Sequence, residues 1–355
     1  MSLFAPLVFP SGLVVRNRAF LAPLTNKQSH ADGSLGDDEL HWMCSRAEGG
    51  FGLVETCAAH VTLDGQNWPG QLGVFDDNLL PGLKRLSAAI RERGPASIFQ
   101  LFHAGGRSDP AITGVMPWGP SEADGVRAAT EDDLHRIIDA FANAAVRAQA
   151  AGFDGVEVHA GHGYLFTAFL SATVNRRHDA WGGPLEHRAR LLLDSVRAIR
   201  ARVDRGFTVG VRLSPEDWGR ARGLDLDESL RVAAWLAAEG VDFIHLSLWQ
   251  ALANSTKYPD THPLTLFRRT VPPPVPILAA GSIWTLDEAE AVLALGADAV
   301  ALGRAAIANP DWARRASDPD WLPRRPPLTI EELRASGLNQ TFAEYMRSFA
   351  GFVAD

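Results

Sequence analysis

Two histidines and a tyrosine lie within six residues of one another in the segment from Glu157 to Tyr164. An imidazole N–H can donate a hydrogen bond to an oxygen atom, and His159 and His162 can both reach one small oxygen. A tyrosine phenol keeps its proton at neutral pH, so Tyr164 can serve as a proton donor. Glycines on both sides of His162 permit a tight turn that brings the three side chains together. This segment predicts an acid–base site around a substrate oxygen.

The same histidines are compatible with a metal site, because histidines three residues apart can share an ion. A metal-dependent hydrolase that uses His159 and His162 is therefore an alternative. The sequence shows no evident third ligand nearby, since we expect Glu157 on the opposite side of its strand from His159. We accordingly predict no metal ion in the site.

Other polar residues stand at the ends of further short apolar runs. The primary amide of Gln100 can donate and accept hydrogen bonds at once, which suits the edge of a flat heterocycle. Thr25 offers a hydroxyl group, and Arg212, inside an apolar run, needs an anionic or carbonyl-rich partner. Singly these groups have ordinary structural explanations, but together they favour a flat polar ligand.

The last two apolar runs end in Gly281-Ser282 and Gly303-Arg304. Loops after the seventh and eighth strands of an α/β barrel are a recurrent phosphate site. Glycine exposes backbone N–H groups, and a helix that begins near Arg304 would direct its positive end at an anion. These two loops predict a bound phosphate group, and a phosphorylated flavin satisfies both this site and the heterocycle site.

Eight apolar runs alternate with helix-like segments, which predicts a (β/α)8 TIM barrel. A doubly wound sheet is the alternative, although no Gly-x-Gly-x-x-Gly follows the first strand. We expect a hairpin over Leu7–Val15 beneath the barrel, one helix over Leu185–Val203, and a C-terminal helical extension over Thr329–Phe349. Residues 1–355 are expected to form a single flavin-binding domain. The predicted strands are Ala19–Leu24, Gly52–Thr56, Ala96–Leu101, Gly155–His159, Thr208–Leu213, Phe243–Ser247, Pro276–Ala280 and Ala299–Leu302.

Composition narrows the function further. The 355 residues carry a net charge of −8 with 46% hydrophobic residues, and no basic stripe suggests a nucleic-acid partner. Two cysteines cannot hold an iron–sulfur cluster, and they favour a reducing compartment. No apolar run is long enough for a membrane span, and the N-terminus does not look like a signal peptide. We expect a cytoplasmic enzyme that acts on small molecules.

Several motifs together resemble the Old Yellow Enzyme family of FMN-dependent ene-reductases over essentially the whole chain. The most specific is His159-x-x-His162-x-Tyr164 with the downstream stretch from Asn175 through Gly182-Gly183 to Arg188. Supporting motifs are Arg16-Asn17-Arg18, Ala22-Pro23-Leu24-Thr25, Gln100 with His103-Ala104-Gly105, Val211-Arg212-Leu213-Ser214, Ala280-Gly281-Ser282 and Leu302-Gly303-Arg304.

The resemblance implies a role for each matching residue. His159 and His162 would bind the carbonyl oxygen of an α,β-unsaturated substrate, and Tyr164 would protonate its α-carbon after hydride transfer from the flavin. NADH or NADPH would reduce the flavin, and a homo-oligomer is possible. The residues implied to contact the flavin ring are Pro23, Leu24, Thr25, Ala58, Gln100 and Arg212, and those implied to hold its phosphate are Gly281, Ser282, Gly303 and Arg304.

A non-catalytic flavin-binding protein is a further alternative, because it would keep the phosphate loops without needing the three acid–base residues. The sequence also departs from the usual family pattern at Trp181, Pro184 and His187, and in the bulky loop Leu248–Leu252. The C-terminal segment around Tyr345 could reach the site of a neighbouring subunit, as in some relatives. These features bear on the shape of the substrate pocket.

Overall fold

The computed structural model describes residues 2–354 and contains a closed barrel of eight parallel strands. Each predicted strand is present, and pairing of Val300 with Ala19 closes the barrel between its last and first strands. This confirms the predicted TIM barrel and rules out the open doubly wound sheet. The barrel strands are β3 (Ala19–Leu21), β4 (Leu53–Glu55), β6 (Ala96–Phe102), β9 (Gly155–Ala160), β10 (Thr208–Leu213), β11 (Phe243–Ser247), β12 (Ile277–Ala280) and β13 (Ala299–Leu302), and the short strands outside it are β1 (Leu7–Val8), β2 (Val14–Val15), β5 (Ala59–His60), β7 (Trp118–Gly119) and β8 (Arg127–Ala128).

The predicted N-terminal hairpin is formed by β1 and β2, and it packs on the floor of the barrel. Phe9, at its turn, lies 5.7 Å from Phe243 and 6.3 Å from Phe20 between ring centroids. The Ser11 and Thr208 hydroxyls are 2.7 Å apart. The hairpin thus buries apolar surface at the end of the barrel opposite the strand ends that carry the polar motifs.

Helices cover the outside of the barrel, and most occupy the predicted segments. The segment Leu185–Val203 contains two helices, separated only by Ala189, whose φ of −81° and ψ of −14° stay in the right-handed helical region. Helices α3, α5 and α9 were not predicted from periodicity. In chain order the helices are α1 (Asp37–Glu48), α2 (Leu80–Arg91), α3 (Pro110–Thr113), α4 (Glu131–Ala151), α5 (Leu165–Leu170), α6 (Leu185–Arg188), α7 (Arg190–Arg200), α8 (Leu226–Ala238), α9 (Pro263–Thr270), α10 (Leu286–Ala294), α11 (Arg304–Ala308), α12 (Trp312–Arg315), α13 (Ile330–Ala335) and α14 (Gln340–Tyr345).

The C-terminal extension is helical in two pieces. Gly337, with a φ of +88°, ends α13 and turns the chain into α14. A backbone bridge joins Leu328 to Val353, so the extension folds back on itself. This arrangement carries Tyr345 and Phe349 to the mouth of the barrel. Among residues 2–354, no helix is long and apolar enough to cross a membrane.

Candidate active site

One cavity of about 730 Å³ opens at the carboxyl ends of the barrel strands, and every site residue expected from the sequence lines it. The shared location follows from parallel strands that all end on the same face of a closed barrel. The lining residues expected from the sequence are Pro23, Leu24, Thr25, Ala58, Gln100, His159, His162, Tyr164, Arg212, Gly281, Ser282, Gly303 and Arg304.

The three acid–base side chains lie side by side at the end of β9. Nδ1 of His162 is 3.2 Å from Nε2 of His159, and the rings of His159 and Tyr164 are 5.6 Å apart. The ring of Phe102 packs edge-on against Tyr164 at 4.6 Å. The left-handed turn that the flanking glycines favour falls partly on His162 itself, with a φ of +62°.

This environment favours the neutral form of both histidines. Burial, together with the nearby positive charge of Arg212, holds the pKa of His159 and of His162 well below the ordinary value. Nε2 of His162 lies 2.7 Å from the Ser247 hydroxyl, whereas Nδ1 of His159 has no partner within the protein. Because the unpartnered Nδ1 of His159 has no accessible surface, a ligand reaches these imidazoles by exchange with a present contact, at Nε2 of His159 with His162 and at Nε2 of His162 with Ser247.

The expected placement of Glu157 was wrong. Residues two apart on a strand share a face, so Glu157 points into the barrel on the same side as His159. Its Oε1 accepts a hydrogen bond from Nε2 of Gln100 at 2.6 Å, and its Oε2 lies 2.7 Å from Nδ1 of His245. Glu157 thereby fixes the orientation of the Gln100 amide and leaves the carbonyl oxygen of that amide for a ligand.

A second buried carboxyl group, Glu55, lies in the same layer of the barrel. Burial, reinforced by the negative charge of Glu157, raises the pKa of Glu55 well above its usual range. Burial also raises the pKa of Glu157, but His245 and hydrogen bonds outweigh it and lower the pKa overall. We infer that Glu55 is protonated and that Glu157 carries the negative charge near Arg212.

This layer contains the metal-compatible group found in the described part of the chain: Glu55, Glu157 and His245. Neither His159 nor His162 belongs to it. The two cavity histidines contact each other and Ser247 instead, which does not support the hydrolase alternative.

The far side of the cavity carries the two glycine loops. Nη2 of Arg304 donates a hydrogen bond to the Ser282 hydroxyl, which in turn donates to the Trp249 carbonyl at 3.1 Å. A Cβ atom at Gly281 would lie 2.8 Å from the backbone nitrogen of Ala251, so this position requires glycine. Burial lowers the pKa of Arg304, and no ion pair involving it occurs in residues 2–354.

These features fit a phosphorylated flavin. Arg304 is a half-buried cation without a carboxylate partner, and the first turn of α11 has no side-chain cap, so both can receive phosphate oxygens. Arg212 is buried, its Nε has no partner within the protein, and its Nη1 and Nη2 make only long contacts of 3.4 and 3.3 Å. Such an arginine suits the carbonyl-rich edge of a heterocycle.

Sequence reasoning missed several cavity residues. Ser247 follows the rule that strand-end polar residues face the site, and that rule could have identified it. Trp68 comes from a loop whose path only the fold determines. Tyr345 lines the cavity of its own chain, where the Lys27 ammonium lies 4.6 Å from its ring centroid. The expectation that this segment reaches the site of a neighbouring subunit stays a prediction.

The positions at which the sequence departs from the usual family pattern fall into two groups, those that line the cavity and those that do not. Trp249 lines the cavity, and its exposed ring lies 5.8 Å from that of Trp218. Trp181, Pro184 and His187 do not line it. The departures from the family pattern that affect the pocket are therefore those in the loop after β11.

Comparison with known proteins decides the family. A family model described as the NADH:flavin oxidoreductase / NADH oxidase family matches residues 2–319. The chain belongs to this family. Its fold matches an old yellow enzyme homologue from Zymomonas mobilis with a TM-score of 0.82 and 28% identity, covering 94% of this chain and 96% of that one. Morphinone reductase in complex with tetrahydroNAD matches with a TM-score of 0.80 and 29% identity, covering 94% of both chains.

Curated relatives agree with this assignment. A Bacillus subtilis (strain 168) protein named probable NADH-dependent flavin oxidoreductase is 35% identical over 89% of this chain and 88% of its own length. A Klebsiella pneumoniae (strain 342) NADH:fumarate oxidoreductase is 33% identical, but the chain spans only 35% of its length. The resemblance to the Old Yellow Enzyme family is confirmed. The protein is an FMN-dependent NAD(P)H oxidoreductase.

Proposed function

We propose that this enzyme reduces the activated C=C bond of α,β-unsaturated carbonyl compounds. The observation that carries the proposal is the placement of two neutral imidazoles and one phenol in the cavity that the flavin residues also line. A redox enzyme that only oxidised NAD(P)H would not need a carbonyl-binding pair beside a proton donor. FMN, when bound, supplies the hydride that reaches the β-carbon of the substrate.

The acid–base residues have separate roles in this reaction. His159 and His162 bind the carbonyl oxygen and stabilise the negative charge that develops there as the β-carbon accepts hydride. Because both imidazoles are neutral, they donate hydrogen bonds without transferring a full proton. Tyr164 protonates the α-carbon, which completes the addition of H₂ across the double bond. Phe102 holds the phenol ring in place through the edge-on contact described above.

The flavin-facing residues orient and hold the cofactor. We propose that Pro23, Leu24, Thr25 and Ala58 contact the flavin ring, and that Gln100 and Arg212 bind its polar edge. Gly281, Ser282, Gly303 and Arg304 would hold the phosphate. All of these residues belong to one barrel, and we propose that the chain works as a single FMN-binding domain.

Two anaerobic half-reactions test the proposal. The FMN-loaded protein is first reduced with NADH or NADPH and then mixed with 2-cyclohexenone, while flavin absorbance is followed and the product is analysed. We expect flavin reoxidation at a rate that depends on the enone concentration, together with formation of cyclohexanone. Reoxidation by oxygen alone, with no reaction across a panel of enones, would instead indicate an NAD(P)H oxidase.

A further inference from the structure

The charge of the active-site cavity is opposite to that of the whole chain. Its described lining contains five basic side chains and no carboxylate, although the protein carries a net charge of −8. None of the five forms an ion pair in residues 2–354, where arginines elsewhere commonly do. The five are Lys27, Arg107, Arg212, Arg220 and Arg304.

Three of these cations already have a partner or an assigned ligand. Arg212 and Arg304 are assigned above to the flavin ring and phosphate. The Lys27 ammonium lies 4.6 Å from the centroid of the Tyr345 ring, within the range of a cation–π contact. Arg107 and Arg220 remain without a counterion, on the side of the cavity that holds the proton donor.

Arg107 is built into the site next to that donor. Its guanidinium lies 3.9 Å from the centroid of the Tyr164 ring, and its Nη1 donates a hydrogen bond to the His162 carbonyl at 2.7 Å. Its Nε is buried and has no partner within the protein. The side chain is therefore held in one orientation while part of its hydrogen-bonding capacity is unused.

Arg220 comes from the loop after β10, which packs on the same turn. A Cβ atom at Gly163 would lie 2.5 Å from the Arg220 carbonyl oxygen, so this loop rests directly on the residue between His162 and Tyr164. Burial lowers the pKa of Arg107, and the nearby positive charge of Arg220 lowers it further. Both arginines line the cavity, and two cations without a counterion at one side of a ligand cavity favour an anionic ligand there.

We propose that Arg107 and Arg220 form a subsite for a carboxylate on the alkene substrate. The inference rests on the proposed function and narrows its substrate class to α,β-unsaturated carbonyl compounds that carry a carboxylate group. A guanidinium binds a carboxylate through hydrogen bonds, and for Arg107 the donor is Nη2, because Nη1 contacts the His162 carbonyl and Nε is buried. The diphosphate of NAD(P)H is a second possible source of the anion, and the experiment separates the two.

The test measures binding to the FMN-loaded protein without turnover. Isothermal titration calorimetry compares 4-oxopentanoate, which has a carbonyl and a carboxylate but no double bond, with its methyl ester. The variants are Arg220→Gln and Arg107→Gln. Arg205→Gln is the matched control, because Arg205 is exposed and outside the cavity. We expect the acid to bind about tenfold more tightly than the ester, and each cavity variant to remove about that factor for the acid alone.

A second measurement uses the reactive pair 4-oxopent-2-enoate and its methyl ester. In the oxidative half-reaction, Arg220→Gln should raise the concentration of acid needed for half-maximal rate and leave the ester unchanged. Because Arg107 contacts both His162 and Tyr164, its variant alone could act by displacing them. Arg220 keeps the test decisive, because its loop meets their turn through the backbone and its side chain makes no hydrogen bond or ion pair within residues 2–354.

Three outcomes would overturn the subsite. Equal binding of acid and ester to the unmodified enzyme would do so, as would equal weakening of both ligands in Arg220→Gln. Weakened NAD(P)H binding in the reductive half-reaction, with unchanged 4-oxopentanoate binding, would assign the cations to the nicotinamide cofactor instead. Tight, arginine-dependent binding of 4-oxopentanoate without reduction of either alkene would retain the anion subsite and refute the proposed reaction.

Discussion

Replacement of Arg304 by glutamine should weaken FMN binding through the phosphate alone. Arg304 is half-buried, contacts the Ser282 hydroxyl and has no carboxylate partner within the described residues. The substitution therefore removes a cation from the phosphate site without leaving a buried carboxylate unpaired. The fold should tolerate the change, because the Ser282 hydroxyl keeps its contact with the Trp249 carbonyl.

The size of the effect follows from the kind of bond that is lost. A hydrogen bond to a charged group contributes about 1.5–3 kcal/mol, so we expect FMN binding to weaken roughly 10- to 150-fold. Riboflavin lacks the phosphate and contacts only the ring-binding residues, so its dissociation constant should not change. The ratio of the dissociation constant of riboflavin to that of FMN should therefore fall by the same factor.

In the assay, each flavin is titrated with apoprotein, and quenching of the flavin fluorescence measures binding. Arg205→Gln serves as the control for loss of one positive charge, and thermal unfolding of each apoprotein checks that the fold is unchanged. An unchanged FMN constant would refute the assignment of Arg304 to the phosphate. Equal weakening of FMN and riboflavin would show that the substitution disturbs the ring site instead.

Three further predictions concern catalysis, pH and the barrel floor. Tyr164→Phe should slow reoxidation of the reduced flavin by an enone about 100-fold or more, while reduction of the flavin by NADPH stays normal. Stopped-flow rates that match the unmodified enzyme in both half-reactions would exclude the proton-donor role. Burial lowers the pKa of His60 to about 4, so the folded state favours the neutral imidazole. The contribution of His60 to the free energy of unfolding is therefore complete above pH 6.5. It should fall by about 3 kcal/mol as the pH drops to about 4, because the unfolded chain then binds a proton that the folded state resists. Urea unfolding at pH 7.5 and 4.5 should show a smaller pH dependence in His60→Gln, and an identical dependence would contradict this assignment. Phe9→Ala should lower the free energy of unfolding by about 3–5 kcal/mol, because it removes a buried aromatic ring. Val8→Ala, at an exposed position of the same hairpin, should change it by about 0.5 kcal/mol or less. Equal urea midpoints for the two variants would argue against the hairpin as part of the core.

Local patterns were sufficient to predict the barrel. Buried parallel strands form continuous apolar runs, and the helices between them show their own periodicity, so each βα unit is visible without long-range information. Helix α9 was missed because it has eight residues, too few to establish a period, and α5 because its six residues are almost all buried. The error at Glu157 had a different origin, since the two-residue period of a strand already places it on the same face as His159.

The amino-acid sequence by itself determined which residues stand at the ends of the eight strands. Closure of the barrel then brings those ends to one face, which is why thirteen residues chosen from separate motifs line a single cavity. Tertiary structure alone decided what approaches that cavity from elsewhere in the chain. The return of the C-terminal extension to place Tyr345 over Lys27, and the packing of the Arg220 loop on Gly163, join residues far apart in the sequence. Such contacts depend on the path of long loops, and packing against the closed barrel sets that path. The local periodicity of the sequence contains no information about this packing.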